Sequence, residues 1–355
     1  MKPTSGAPAA RRRLLSLFGQ ALLGATGLCK AAWCAPAVAA TGGNSPQPSP
    51  STSHTPHIPH THALLIAVDR PAALPQRLWL RGPDNDAALV RQALLQRGVA
   101  AERITWLGRA PAASGPATRA GIEAALHALL LRLRAGDHLV LHLAGHGVQV
   151  PQRPGAEPEP DGLDEVFLTA DTQPWDAAQG LLPQALYDHD IGRFISDLAQ
   201  QGVQVLALFD TCHAAGLQRG APGSPTRQRG VAAAELGVPQ GLAALAASRA
   251  RNTGAGWLVH RMSASPTPHA SSPSGPSGPV LALAARSHES TPEAWLPQGS
   301  PQARVHGVFS FAVAQALRTG SSDAGALRRA LADAYAQAGR STPVPMVLGE
   351  GPLLL

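Results

Sequence analysis

Apolar runs alternate with helical repeats along most of the chain. Short apolar runs predict strands at 62–68, 104–107, 138–146, 166–169, 203–209 and 280–285. Apolar residues at helical spacing predict helices at 87–97, 118–134, 190–200, 308–318 and 324–338. Alternation of this kind is typical of an α/β fold, with right-handed crossovers and a mainly parallel central sheet flanked by helices.

Two of these strands end in residues that can carry chemistry. The run 203–209 leads directly into Asp210, Cys212 and His213, and the strand from 138 ends in His146, which has a glycine on each side. Ligands of α/β sheets bind at the carboxyl ends of the strands, so we expect a Cys/His pair on neighbouring strand ends.

A thiol becomes an effective nucleophile when an imidazole takes its proton. Cys212 and His146 are therefore the candidate catalytic pair, and the backbone amides of Gly147 and Cys212 are candidate donors to an oxyanion. His213 is interpreted as structural, because neighbouring side chains at a strand end point in different directions.

The first 40 residues have the pattern of an export signal. Arg11–Arg13 precede a mildly apolar segment that ends in a small-residue cleavage site at Ala37–Ala39. The paired arginines leave both the general and the twin-arginine export routes open. An uncleaved membrane anchor is the alternative, but glycines and a glutamine make the segment a poor membrane span. We therefore expect a periplasmic or secreted protein.

Removing residues 1–40 changes the charge of the chain. Two lysines and three arginines leave, so the 29 basic residues become 24 against 23 acidic ones. The nearly neutral remainder predicts no nucleic-acid partner and no stable membrane association after the signal is removed. Cys212 also becomes the only cysteine, which excludes a disulfide framework.

The rest of the chain divides into a linker and one folded domain. Residues 41–61 are rich in Ser, Thr, Pro and His and are predicted to be a disordered linker. Residues 62–355 form the domain, with mobile loops predicted near 218–230 and 262–279. Within it, 231–250 is alanine-rich and ambiguous, and Asp84–Asp86 are expected to cap the helix at 87–97.

Several motifs, in order along the chain, resemble those of caspase-type cysteine peptidases, and most closely the metacaspases. Residues 142–147, His-Leu-Ala-Gly-His-Gly, resemble that family's Tyr-Ser-Gly-His-Gly, and residues 210–216 resemble its Asp-Ser-Cys-His-Ser-Gly. Residues 82–87 resemble its Gly-Cys-x-Asn-Asp-Ala. Weaker similarities lie at 161–165, at 187–191, and at Trp295 followed by 306–311.

The resemblance implies a caspase-like three-layer sandwich and a cysteine endopeptidase. Cys212 would be the nucleophile and His146 the acid/base partner. Asp86 and Asp210 would line a pocket for an Arg or Lys side chain, so the expected partner is a peptide or protein substrate with a basic residue before the scissile bond. Self-cleavage is expected in the loop that carries Arg219, Arg227 and Arg229.

Two departures from the family pattern affect these expectations. Ala144 stands where metacaspases usually have a serine that lines the same pocket, so one hydrogen bond to the substrate is missing. Asp164 and Asp188 match two calcium-binding positions of the family, but His189 replaces a third and Arg219 lies near a fourth. We expect no required cofactor and keep calcium at Asp164 and Asp188 as an option.

Two other functions remain open from the sequence. A non-catalytic secreted module with the caspase fold would serve in binding or regulation, and Ala144 is the feature that favours it. A Cys/His enzyme acting on another acyl group is less consistent with the carboxylates of Asp86 and Asp210. Both alternatives are tested by whether peptides ending in Arg, Lys or Asp are hydrolysed.

Overall fold

A six-stranded sheet forms the centre of the domain. The computed structural model describes residues 57–159, 161–212, 227–250, 278–284, 291–337, 343–350 and 353. In this sheet the strands are ordered β11-β8-β7-β3-β1-β2, and only β11 is antiparallel to its neighbour. The predicted α/β architecture with a mainly parallel sheet is confirmed.

The strands of this sheet are short, apolar and largely buried. They are β1 Thr61–Ala67, β2 Ile104–Leu107, β3 His138–Ala144, β7 Gln204–Asp210, β8 Val280–Leu283 and β11 Met346–Leu348. The helices are α1 Pro83–Gln96, α2 Arg119–Arg132, α3 Asp188–Gln200, α4 Gln240–Ala250, α5 Val308–Thr319 and α6 Ala324–Gln337.

Side chains alternate between the two faces of the central sheet. Ala63 and Leu65 of β1 pack in one apolar cluster with residues of α1, α5 and α6, whereas Leu64 and Ile66 pack in a second cluster with residues of α2 and α3. Both clusters are almost fully buried. Helices therefore cover both faces, which is the three-layer sandwich expected from the sequence.

Two smaller antiparallel sheets extend the domain, and the sequence patterns predicted only one of their five strands. One contains β4 Gly147–Pro151, β5 Leu163–Phe167 and β6 Leu186–Tyr187, and the other is the hairpin of β9 Glu293–Leu296 and β10 Arg304–Gly307. The strand predicted at 166–169 is β5, which starts and ends earlier. Short strands that mix charged and apolar residues lack the apolar run on which the prediction depended.

Some of the predicted boundaries need correction, and others lie outside the described residues. Helix α1 begins at Pro83, so Asp84 and Asp86 lie within its first turn and are not its cap. The predicted linker extends to residue 61, but β1 begins at Thr61. His57, which lies within the predicted linker, contacts Asp137. The predicted export signal, most of the linker and residues 218–226 and 262–277 of the two loops lie outside the described residues.

The remainder of the second loop and the alanine-rich segment are described. Residues 278–279 lead into β8, and the ambiguous segment contains a short 3-10 turn, Ala233–Leu236, followed by α4. Within the described part of the chain, every helix is too short or too polar to cross a membrane.

Candidate active site

His146 and Cys212 follow adjacent strands of the central sheet. Strands β3 and β7 pair in parallel up to Ala144 and Asp210, and the amide of Gly145 donates to the carbonyl of Asp210 at 3.3 Å. Residues 146 and 212 therefore leave the sheet at the same level on neighbouring strands. Both are buried, and Cys212 is a reduced cysteine.

The imidazole of His146 is held in one tautomer. Its Nε2 atom lies 2.6 Å from the carbonyl oxygen of Leu78, and because a carbonyl can only accept, Nε2 carries the proton. Nδ1 is buried and has no hydrogen-bond partner among the residues that the structure describes. Burial lowers the pKa of His146 to about 4, so at neutral pH the ring is uncharged and Nδ1 is available as a base.

Asp86 and Asp210, the two predicted pocket residues, meet around a guanidinium that belongs to this chain. Arg229 is fully buried, and its Nη1 lies 3.1 Å from Asp210 Oδ2 while its Nη2 is hydrogen-bonded to Asp86 Oδ2. Although burial by itself would lower the pKa of Arg229, the carboxylates of Asp210 and Asp86 raise it. The arginine is therefore charged inside the pocket.

Glu293 is a third carboxylate of this pocket, and sequence reasoning did not select it. Its Oε1 lies 3.4 Å from Arg229 Nη2 and accepts from the amide of Gly82 at 2.7 Å. Burial raises the pKa of both Glu293 and Asp210. Glu293 lies on β9, one of the strands that the sequence did not predict, so no pattern linked it to the other two acids.

Two glycines make room for the guanidinium. A Cβ atom at Gly82 would lie 2.6 Å from Glu293 Oε1 and 2.8 Å from Arg229 Nη2. At Gly307 it would lie 2.1 Å from Asp210 Oδ2 and 2.7 Å from Arg229 Cζ. Because real Cβ atoms do not approach other atoms this closely, both positions require glycine for the pocket to keep this shape.

Neighbouring polar groups orient the two aspartates. Asp86 accepts from the amide of Gly307 and lies 3.0 Å from His306 Nδ1. Asp210 Oδ2 accepts from the amide and from the hydroxyl of Ser310, at 2.9 and 2.6 Å, and that hydroxyl also contacts His142 Nε2 at 2.9 Å. A hydrogen-bonded set of this kind fixes carboxylates that would otherwise be costly to bury.

The backbone around Arg229 is bound as an extended strand. Its N–H donates to the carbonyl of Thr291 at 3.0 Å, and the carbonyl of Arg227 accepts from the N–H of Glu293 at 2.8 Å, which is antiparallel pairing. The carbonyl of Arg229 accepts from the N–H of Gly147 at 3.0 Å. The carbonyl of Arg229 is therefore bound to the amide that was predicted to be an oxyanion donor.

A buried cluster of three acids and a histidine lies away from this pocket, on β5, at the start of α3 and in the loop before β5. Ligand atoms of Glu159, Asp164, Asp188 and His189 lie within 4.8 Å of one another. Burial raises the pKa of Glu159 to about 10 and that of Asp188 to about 7. The two predicted calcium positions, Asp164 and Asp188, are thus brought together. His213 and Arg219 lie outside the described residues.

Comparison with known proteins agrees with the arrangement of these strand ends. Residues 61–218 match the sequence model of the family described as "Metacaspase, peptidase C14 domain". This region of the chain is similar to caspase-like cysteine peptidase domains. The match covers β1 through β7, and therefore includes both His146 and Cys212.

Curated metacaspases are similar to part of this chain. Metacaspase-7 of Arabidopsis thaliana is 31% identical over 156 residues, which are 44% of this chain and 35% of that protein. Metacaspase-1A of Aspergillus niger is 34% identical over 154 residues, 42% of this chain and 35% of that protein. The chain thus spans about a third of the length of these relatives.

A solved structure, that of a protein from Geobacter sulfurreducens, aligns with 82% of this chain and with 93% of its own chain. The TM-score of this alignment is 0.48 and the sequence identity is 19%.

Proposed function

We propose that this protein is a cysteine endopeptidase that cleaves after arginine or lysine and processes itself between Arg229 and Gly230. One observation carries the proposal. Arg229 is bound as a substrate residue would be, with its side chain among three carboxylates, its N–H paired with Thr291 and its carbonyl on the amide of Gly147.

The chemistry assigns one role to each side chain. His146 Nδ1 takes the proton of Cys212, and the thiolate attacks the carbonyl carbon of the residue in the pocket. The amides of Gly147 and Cys212 stabilise the oxyanion. When the tetrahedral intermediate collapses, the C–N bond breaks and His146 returns the proton to the leaving amine. Water then hydrolyses the thioester and releases the new carboxylate.

The acidic pocket supports a preference for basic residues. A guanidinium is neutralised by Asp86 and Asp210 and also reaches Glu293, whereas an acidic side chain would meet three like charges. Ser310 holds Asp210 in place through its hydroxyl, and Glu293 adds a third carboxylate to the pocket. The expected substrates are therefore peptides or proteins with Arg, and secondarily Lys, before the scissile bond.

The predicted export signal at residues 1–40 would deliver this peptidase to the periplasm or the exterior. In such a compartment a cysteine outside a disulfide is exposed to oxidation unless it is buried. Burial of Cys212 is consistent with that location. Fractionation of cells that express the full chain tests it, since recovery with the cytoplasmic fraction in full-length form would contradict the proposal.

Self-processing is tested with four chains. The full-length protein, Cys212→Ala, Arg229→Gln and the matched control Arg227→Gln are purified and examined by intact mass and amino-terminal sequencing. We expect a new amino terminus at Gly230 in the full-length protein and in Arg227→Gln. Cys212→Ala and Arg229→Gln should both remain uncleaved. Cleavage that persists in Cys212→Ala would overturn the assignment of the nucleophile.

Fluorogenic peptides that end in Arg, Lys or Asp then test specificity on the same chains. Arg peptides should be hydrolysed fastest and Asp peptides not at all. If none of the peptides is turned over and the chain stays intact, the non-catalytic binding module becomes the better account.

A further inference from the structure

We propose that Glu159, Asp164, Asp188 and His189 form a site for a divalent first-row transition ion, with Zn²⁺ as the best match, and that this site does not select calcium. The inference is independent of the peptidase proposal, because none of these four residues belongs to the pocket around Arg229. It concerns the one histidine-containing acidic cluster that the described residues form.

The four side chains have the spacing of a coordination shell. His189 Nδ1 lies 3.2 Å from Asp188 Oδ1, 3.5 Å from Glu159 Oε1 and 3.8 Å from Asp164 Oδ1. A tetrahedral zinc shell, with bonds of about 2.1 Å, places its ligand atoms about 3.4 Å apart. An ion among these atoms therefore requires only small side-chain movements.

Three carboxylate oxygens in the cluster are buried without a hydrogen-bond donor in the described part of the chain. They are Glu159 Oε1, Asp164 Oδ1 and Asp188 Oδ2. The side chains of Glu159 and Asp164 are 1% and 0% exposed. Asp164 uses its other oxygen, Oδ2, to accept from the amide of Arg153 at 3.0 Å, so Oδ1 is left facing His189. His189 and the guanidinium of Arg153, whose Nε lies 3.6 Å from Asp164 Oδ2, balance part of this negative charge, and a divalent cation would satisfy the remaining acceptors.

The histidine is oriented as a metal ligand. Its Nε2 atom lies 3.3 Å from the carbonyl oxygen of Glu157, which can only accept, so Nε2 carries a proton. Nδ1 faces the three carboxylates and lies 3.2 Å from Asp188 Oδ1, which can also only accept, so Nδ1 carries a proton as well and an incoming ion displaces it. A ligating histidine commonly donates its other ring N–H to a backbone carbonyl, which fixes the ring and directs the lone pair at the ion.

Calcium does not fit this set of donors. Calcium takes six to eight oxygen ligands, whereas the cluster offers three carboxylates and an imidazole nitrogen. The nearest carbonyl, that of Glu157, is engaged by His189. Imidazole together with carboxylates suits zinc and other first-row ions. A replacement of oxygen by nitrogen at residue 189 therefore changes which metal the site prefers.

A path to the cluster exists on the protein surface. A cleft of about 520 Å³ is lined by residues of the loop 153–157 and of α3, and His189 forms part of its wall. An ion can therefore reach His189 without unfolding of the surrounding strands, although the cluster itself is buried.

The test measures binding in a chain from which other zinc ligands have been removed. The reference chain is the full-length protein with Cys29, Cys34 and Cys212 changed to Ala and with His54, His57 and His60 changed to Ala, so that neither a thiol nor the histidine-rich segment before β1 contributes. It is titrated with ZnCl₂, CoCl₂, CaCl₂ and MgCl₂ by calorimetry, and bound metal is counted by mass spectrometry after dialysis. The midpoint of thermal unfolding is recorded with each ion.

We expect one Zn²⁺ per reference chain, a higher unfolding midpoint with Zn²⁺, and no change with millimolar Ca²⁺. Bound Co²⁺ should show the intense visible absorption of a tetrahedral site. His189→Asp should weaken zinc binding at least tenfold and allow calcium to bind, while His127→Asp, on the exposed face of α2, should leave both unchanged.

His189→Asn provides a second variant in case His189→Asp does not fold, and it should also weaken zinc binding at least tenfold. The proposal is overturned if the reference chain binds no zinc, if it binds calcium as tightly as zinc, or if the His189 variants bind zinc as the reference chain does.

Discussion

At the scale of single residues, Arg229 is the side chain on which the candidate site depends. It is fully buried and offsets the charge of Asp86, Asp210 and Glu293. Removal of one partner from a buried ion pair costs about 3–5 kcal/mol, because the remaining charge is left without compensation. The positive charge of Arg229 therefore stabilises the three buried acids of the pocket.

His142 gives a prediction about stability and pH. Burial lowers its pKa from 6.5 to about 4, with Asp86 acting to raise it and Arg229 to lower it. Between these pH values the unfolded chain binds a proton that the folded chain does not, so His142 reduces stability as the pH falls. His142→Phe keeps a ring but cannot titrate. The loss in free energy of unfolding caused by His142→Phe should be about 2 kcal/mol smaller at pH 5 than at pH 7.

Urea unfolding of the wild type and of His142→Phe at pH 7, 6 and 5 measures this change. His127→Gln, on the exposed face of α2, is the control and is measured at the same three pH values. A cost of His142→Phe that stays constant over this range would contradict the proposed cause.

Residue types next to strand ends were sufficient to select His146 and Cys212 as candidates, whereas the resemblance to metacaspases suggested Asp86 and Asp210. Each belongs to a short motif or follows a predicted strand directly. Glu293 could not be selected, because it lies more than 200 residues from Gly82 and its amide contact exists only after folding. The role of Arg229 could not be predicted either, because the loop 218–230 contains three arginines and no sequence feature distinguishes them.

At the scale of elements, the segment 227–231 behaves as an additional strand. Arg227 and Arg229 pair with the residues before and at the start of β9, and the N–H of Val231 donates to the carbonyl of Gly147 at 3.2 Å. Composition had indicated a mobile loop here, because glycine and arginine form no apolar run. The pairing depends on partners at 291–293 and 147, which local composition cannot reveal.

The bound segment predicts that the unprocessed chain inhibits itself. Arg229 is covalently tethered beside the pocket, so it competes with added substrate at a high effective concentration. Arg229→Gln removes the charge that the carboxylates bind. This variant should hydrolyse an Arg-ending peptide from the first minute. Its KM for that peptide should be at least tenfold lower than the KM of the wild-type chain before self-cleavage.

Progress curves measured immediately after purification check this, with Arg227→Gln as the matched control. The wild type and Arg227→Gln should show a lag that shortens as the bond after Arg229 is cut. A variant with Gln at 229 that shows the same lag and the same KM as wild type would contradict self-inhibition by this residue.

At the scale of the whole molecule, the site is shared between two halves of the chain. Asp86 on α1 and Asp210 on β7 precede Arg229, whereas Glu293 on β9 and Ser310 on α5 follow it. The central sheet is divided in the same way, because β8, which pairs with β7, and β11, which pairs with β8, both follow Arg229 in the chain. The order of predicted strands and helices indicated the α/β class, but not that β8 pairs with β7.

This division predicts that the two products of self-cleavage stay together. The four pairs from Leu206–Val280 to Phe209–Leu283 join β7 to β8, and α5 packs against α1 in the larger apolar cluster. Separation of the products would expose that cluster to water, at about 25 cal/mol for each Å² of apolar surface. After cleavage, native mass spectrometry should therefore find one particle with the summed mass of both products, while a denaturing gel shows two bands.

The same measurement shows whether self-cleavage yields an active two-chain enzyme or inactivates the protein. If the products remain together, the particle keeps Glu293 and Ser310 next to Asp210 and should hydrolyse Arg-ending peptides at the rate reached after the lag. Cys212→Ala, which stays a single chain, provides the mass reference. Products that separate under native conditions would show that β8 and α5 do not hold the halves together, and hydrolysis should then fall as the cut proceeds, because neither half contains the complete pocket.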